Sequence, residues 1–333
     1  MPHYQHILGI DEAGLGPILG PLTIGYSAFA LPAALSADGV LKLDLWQMLG
    51  LGREPAERKK GPVVCDSKVL YTPARGLKAL EEEVLCWLCL QGLEPQAGTA
   101  PDFGAFWNAL CPLAREKRGL YDWYFDPPQR FPLEADWSRM RLRAQPLARA
   151  LESAGVSLSA LGVAPVFEGE LNAALRRLGN KSRAEFECIT RVIGHLWRKH
   201  GKLAVLCDRQ GGRERYGRAL AREFPEAEVR VIHESPKLST YELTVSGVGG
   251  DPRLFVAFKE KGEGDHLPIA LASMLAKYLR ELSMHQFNAW FLKHDPALKP
   301  TAGYYTDGKR WLDDTAGLRR AIGIDDARIV RQK

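Results

Sequence analysis

The chain has 333 residues, 46% of them hydrophobic and 26% charged, with a formal net charge of +5 at pH 7. That balance is close to the average for soluble globular proteins and excludes wholesale disorder. No apolar run reaches the ~18 residues that cross a bilayer. The opening Met1-Pro2-His3-Tyr4-Gln5-His6 has neither the basic region nor the apolar stretch of a secretory leader. A cytoplasmic protein without a membrane partner is expected, and the mild positive charge permits a polyanionic partner without demanding one.

In chain order, His6-Ile7-Leu8-Gly9-Ile10 reads as a buried strand that ends at Asp11-Glu12 and a glycine turn, and residues 18–30 read as a second strand paired with it. Residues 73–92 have helical periodicity, with Pro73 in the first turn and Gly92 as the stop. Residues 95–138 are rich in proline and aromatics and are expected to form an insertion with little regular structure. Its aromatics read as a local core, with base stacking as the alternative. A helix over 139–153 and a strand over 156–166 follow. The spacing of Phe186, Ile189, Val192, Ile193, Leu196 and Trp197 predicts a long amphipathic helix over 181–200. Leu203 to Cys207 is a short buried strand ending at Asp208, and a charged helix runs on to about Phe224. Strands are expected over 229–234, 240–246 and 254–259, then helices over 268–292 and 308–322. The alternation argues for an α/β layered fold, a mixed sheet flanked by helices, in a single domain with a helical C-terminal part at about 268–333.

The six cysteines sit mostly inside apolar runs, as reduced core thiols do. Cys86 and Cys89 form a lone C-x-x-C without the second pair a zinc site needs, and read as core. Basic residues gather at Arg53, Arg58, Lys59 and Lys60, at Arg176, Arg177, Lys181 and Arg183, and at Arg209, Arg213, Arg215, Arg218 and Arg222 just after Asp208. Any such group can be a solvated face. Only the last stands beside a candidate catalytic acid, where a small neutral substrate would not need it.

Phosphodiester hydrolysis needs an activated water and stabilisation of charge on the leaving oxygen, which two Mg²⁺ ions ~4 Å apart can supply. Mg²⁺ takes oxygen ligands, chiefly carboxylates. Four acids lie where a rigid scaffold would hold them: Asp11 and Glu12 at the end of the first strand, Asp208 at the end of another, and Asp265 before the long helix. Adjacent side chains on a strand point to opposite faces. For Asp11 and Glu12 to share a site the strand is therefore expected to break there, helped by Gly14 and Gly16. A solvated turn for Asp11-Glu12 and an N-cap for Asp265 are the structural alternatives. His266 reads as a surface side chain, with leaving-group protonation as its alternative role.

These residues carry a resemblance. Gly9-Ile10-Asp11-Glu12-Ala13-Gly14-Leu15-Gly16-Pro17 resembles the G-[IV]-D-E-[AV]-G-R-G-P of type 2 ribonucleases H, the ribonucleases HII and HIII. Asp66-Ser67-Lys68 is similar to their D-S-K, and Asp208 to the Asp after their central strand. Asp265 to Lys277 is similar to their K-G-D…I-A-A-A-S-I-x-A-K, and Gly303-Tyr304-Tyr305-Thr306 to their G-Y-[PG]-T. The motifs occur in the family's order.

The resemblance implies an endoribonuclease that cuts the RNA strand of an RNA/DNA hybrid, or of a ribonucleotide-containing duplex, with two Mg²⁺ or Mn²⁺ ions. It implies Asp11, Glu12, Asp208 and Asp265 as catalytic metal ligands, with Lys68, Ser273 and Lys277 on phosphates. Tyr304 would stack by the ribose, and Gly14-Leu15-Gly16 would let backbone approach the 2′-OH. Leu15 departs from the family's Arg, and the insertion has no counterpart. A catalytically silent nucleic-acid-binding protein and another nuclease on the same fold are the alternatives. No protein partner is indicated.

Overall fold

The computed structural model describes residues 2–59, 61–93, 101–117, 119–126, 128, 130–246 and 252–332. Lys60, Pro127 and positions 95–100 of the expected insertion lie outside the described residues. Seven strands form one mixed sheet: β1 (His3–Ala13), β2 (Leu22–Ser36), β3 (Ser157–Val166), β4 (Lys202–Asp208), β5 (Glu228–Glu234), β6 (Leu238–Thr244) and β7 (Arg253–Lys259). Their spatial order is β3-β2-β1-β4-β7-β6-β5. β1, β4 and β7 run parallel at the centre, and every other pairing is antiparallel.

The central strands are apolar on both faces because helices cover both. Ile7, Ala204, Leu206, Phe255 and Ala257 pack on one side with the 28-residue helix Leu267–His294. Leu8, Ile10, Leu203, Val205, Cys207, Val256 and Phe258 pack on the other with the helix Lys181–His200. The long helix lies against the sheet itself. A Cβ on Gly9 would fall 2.0 Å from the Pro268 carbonyl carbon, and one on Gly25 would fall 2.0 Å from the Ala272 oxygen. Glycine at these two positions brings the first half of the helix down onto β1 and β2. Ser27 and Thr23 then bond the Pro268 and Ala276 carbonyls at 2.8 and 2.9 Å.

Described residues of the proline-rich segment are more regular than expected. Asp102 caps a helix over Phe103–Leu110 by accepting from Gly104 and Ala105, and a further short helix covers Asp122–Phe125. Its aromatics Phe106, Trp107, Trp123 and Tyr124 are buried in the same core as the long helix, so they are not free to stack bases. The helix expected over 308–322 is two helices, Tyr305–Asp314 and Ala316–Ala321, parted at Thr315, whose hydroxyl bonds back to the Trp311 carbonyl at 2.7 Å. Cys86 is fully buried in the core and Cys89 is half-buried against it, as read from the sequence. Among the described residues no helix is long and apolar enough to cross a membrane.

Candidate active site

The parallel register sets the site. Ile10 pairs with Cys207 and Asp208 with Lys259, so Asp11 and Asp208 emerge side by side at the carboxyl end of the sheet. β1 does not break at the acids. Asp11 and Glu12 are ordinary ladder positions, paired with Gly25 and Ile24, and the turn comes afterwards at Gly14, with φ 84°. The expected break is thus displaced, and the strand's alternation holds. Asp11 faces the long helix, where the Ser273 hydroxyl bonds it. Glu12 faces the other layer, where it bonds Glu185 on the helix Lys181–His200. The two acids straddle the end of the sheet.

Burial pushes the Asp11 carboxyl up to about 7. The Ser273 hydroxyl opposes the shift, and the nearby Asp208 and Glu263 charges add to it. Burial, then the Asp11, Glu185 and Asp208 charges, push Glu12 well above the ordinary carboxylate range. Burial raises Asp208 to about 6, against the Gly262 N–H that it accepts at 2.8 Å and with the help of Glu263. Glu185 is raised to about 7 by burial, opposed by its bond from Glu12 and by the Arg213 and Lys181 charges. Five acids from four segments therefore crowd one end of the sheet, two of them, Glu185 and Glu263, not expected from the sequence. Glu12 bonds Glu185, and Asp208 bonds Glu263. Glu185 Oε1 and Glu263 Oε2 have no partner among the described residues.

Asp265 is engaged differently. It is exposed and forms an ion pair with Lys259 at 2.7 Å, while Glu263, two residues earlier, turns toward Asp208. The signal was present in the sequence. In the K-G-D pattern the acid directly follows K-G, and here Lys261-Gly262 is followed by Glu263. His266 is not at the surface. It is 3% exposed, both ring nitrogens lack partners among the described residues, and burial lowers its pKa to about 4.

The remaining candidates flank the acids. The Ser67 hydroxyl lies 3.1 Å from that of Ser273, which ties the Asp66-Ser67-Lys68 turn to the long helix and leaves Lys68 exposed beside it. Lys277 pairs with Glu281 at 2.7 Å and lies 5.0 Å from the Tyr71 ring centroid. Tyr304 is exposed and close enough to Tyr71 to influence its ionisation. Gly14, Leu15 and Gly16 form the turn after β1, with Gly16 exposed. A cleft of about 750 Å³ on the flank of the long helix, lined by Tyr71, Glu134, Glu281 and His285 among others, contains none of the acids. The arginines after Asp208 are partly committed to the fold: Arg209 to Glu260 at 3.0 Å, Arg213 to the Ser182 hydroxyl at 3.0 Å and Arg222 to Glu223 at 2.9 Å. Arg58, in the first basic group, pairs with Glu82 and Glu83.

Among the described residues no group of three His, Cys, Asp or Glu side chains is arranged so as to hold a metal ion. The donor chemistry nevertheless fits a hard divalent cation. All five donors are carboxylates, and burial together with neighbouring acid charges raises the proton affinity of Asp11, Glu12 and Asp208, a setting in which a bound cation would also compensate the charge.

Solved structures to which the chain is similar include ribonucleases HII, H2 and HIII. The ribonuclease HII of the Archaeoglobus fulgidus PCNA:RNase HII complex is 16% identical with a TM-score of 0.41, covering 98% of this chain and 96% of that one. The ribonuclease H2 of Pyrococcus horikoshii is 14% identical with a TM-score of 0.37, covering 97% and 92%. Bst-RNase HIII, solved in complex with Mn²⁺, is 12% identical with a TM-score of 0.39, covering 98% of this chain and 65% of that one. No protein-family model matches the sequence, and no curated protein matches it. At these identities the roles of individual residues rest on the site's own geometry.

Proposed function

We propose that the protein is a divalent-metal-dependent endoribonuclease that cleaves the RNA strand of an RNA/DNA hybrid. The observation that carries the reading is the convergence of Asp11, Glu12, Asp208 and Glu263 at one end of the sheet, in a chain whose ordered motifs resemble type 2 ribonucleases H. Asp11, Glu12, Asp208 and Glu263 would hold Mg²⁺ or Mn²⁺, with Glu263 in the place first expected for Asp265. When bound, the ions would supply a more acidic water and charge neutralisation at the leaving oxygen.

The chain's own groups do the positioning. Ser273, braced by Ser67, orients the Asp11 carboxylate, so its first role is to aim a ligand. Glu185 faces Glu12 from the opposite layer and sets its orientation. Lys277, one helical turn beyond Ser273, and the exposed Lys68 would meet backbone phosphates, Lys277 by exchanging Glu281 for a phosphate oxygen. Tyr304 offers an exposed ring for stacking against a sugar or base, and the glycines of Gly14-Leu15-Gly16 let main chain approach a 2′-OH.

The test is cleavage of an RNA/DNA hybrid with Mg²⁺ or Mn²⁺ by the wild-type chain and by Asp208→Asn. Wild-type turnover, reduced more than about a hundredfold in the variant, is the expected result. Outer-layer losses at metal sites reach only about that size. Tight hybrid binding with no cleavage under either metal would support a silent binding protein instead.

A further inference from the structure

The loop that follows the acids is held from behind by two arginines from the far end of the chain. Arg280, on the long helix and 3% exposed, donates to the carbonyls of Leu19 at 2.8 Å, Pro21 at 3.2 Å and Ala302 at 3.3 Å. Arg331, in the C-terminal tail and also 3% exposed, donates to the carbonyls of Gly14 and Pro17.

The tail is fastened by its main chain as well. The Arg331 N–H bonds the Ile18 carbonyl at 2.9 Å, and Val330 bridges to Leu19. Asn172, on the helix Glu168–Leu178, donates to the Val330 carbonyl at 2.8 Å and accepts from the Gln332 N–H at 2.7 Å. Main-chain bonds and Asn172 would be enough to dock a tail, so they do not account for a buried guanidinium.

A buried guanidinium is costly and is ordinarily surrounded by acceptors. Here Nε and Nη2 have no partner among the described residues. The nearby Glu168, fully buried, spends one oxygen on the Tyr124 hydroxyl at 2.5 Å. Among the described residues, the hydrogen bonds of this side chain go to the glycine loop alone. A loop with two glycines has unusual backbone freedom, and a turn that must present main chain to a substrate needs that freedom removed.

We infer that Arg331 is a positioning residue for the loop after β1: by drawing in the Gly14 and Pro17 carbonyls it fixes Gly14-Leu15-Gly16 beside Asp11 and Glu12, which makes the C-terminal tail a working part of the nucleic-acid site. This inference rests on the nuclease reading above.

Arg331→Met, Arg331→Lys and Asn172→Ala test it, the last freeing the tail without touching the loop. Arg331→Met is expected to lower kcat on the hybrid about ten- to a hundredfold with KM within about threefold, as misplacement on the ångström scale does. Arg331→Lys should recover most of the loss, and Asn172→Ala should show a smaller fall. The thermal shift on adding Mn²⁺ should stay at the wild-type value, while amide exchange over residues 14–16 quickens in Arg331→Met and Asn172→Ala. A folded Arg331→Met with wild-type kcat overturns the inference. So does a loss that Arg331→Lys fails to recover and that is matched by a lost Mn²⁺ shift, and so does unchanged exchange at 14–16. If the wild-type chain cleaves nothing with either metal, the proposed function fails, and exchange at 14–16 still reads the tail contact directly.

Discussion

Two groups of buried carboxylates in this molecule are treated in opposite ways. Glu81, with no exposed surface, accepts from the N–H groups of Leu133, Glu134 and Ala135 at 2.9, 2.7 and 2.7 Å and from the Tyr278 hydroxyl at 2.8 Å. Glu83, equally buried, receives Arg58, Arg143 and the Val63 N–H. At the end of the sheet Asp11, Glu12, Asp208, Glu185 and Glu263 face one another instead, and two of their oxygens find no partner among the described residues. This fold satisfies a buried acid fully twice within three residues, and where the buried Glu168 keeps an unpartnered oxygen it lies near the Arg331 and Arg280 charges and not among other acids. Local rules broken without compensation mark sites kept for function.

The largest expected effect separates the two candidates for the fourth acid. Glu263→Gln should reduce hybrid cleavage more than about a hundredfold, on the scale expected of a lost metal ligand. Asp265→Asn, which removes only an exposed ion pair with Lys259, should leave turnover within about threefold, as exposed pairs contribute about 1 kcal/mol or less. The reverse ranking in steady-state assays would return the ligand role to Asp265.

Next comes stability, where the comparison predicts opposite signs. Glu81→Ala strands three N–H groups and a hydroxyl, each costing about 1–3 kcal/mol when left unsatisfied in the interior. Denaturant melts should show a loss of about 3 kcal/mol or more. Glu185→Gln, measured in EDTA at pH 8, should leave stability unchanged or raise it, because it removes a charge from a crowd of like charges. A Glu185→Gln loss as large as that of Glu81→Ala would place Glu185 with the structural acids.

Much of the scaffold could be read from the sequence because local signals agreed with the tertiary answer. The helix Lys181–His200 has its apolar stripe at the helical period and Asn180 at its cap, and β4 is an unbroken apolar run ended by Asp208. The site was less legible for three reasons. Asp11 and Glu12 were expected to converge through a broken strand, yet the register keeps them on opposite faces, so the partner of Glu12 comes from the other layer. Glu185 was hidden inside a helical pattern, where its neighbours Ala184 and Phe186 are core residues and nothing in the spacing marks an acid aimed at the strand end. Glu263 was passed over for Asp265 because Asp265 lies nearer the start of the long helix, where a rigid scaffold was expected to hold the fourth acid. The helix opens at His266, which makes no side-chain cap bond.

The smallest effect is the dependence of stability on pH. Asp11 and Glu185 are pushed up to about 7 and Asp208 to about 6, whereas the same groups in an unfolded chain titrate near 4. Between these limits the folded protein holds protons that the unfolded chain has released. Stability from these acids therefore falls as pH rises from about 4 to about 7 and is level above that. The histidines run the other way. Burial holds His200 and His266 down to about 4, so stability from them is present above about 6.5 and lost as pH falls toward 4. The two trends overlap in a wild-type melt, and the difference between wild type and Glu185→Gln isolates the acids. In EDTA the advantage of the variant should grow from pH 4.5 to pH 7.5. With Mg²⁺ or Mn²⁺ at pH 7.5 that advantage should shrink, since a bound cation supplies the charge compensation that protons supply at low pH. A difference that stayed flat across the range would mean that Glu185 does not share its proton with Glu12, and the fifth acid would drop out of the site.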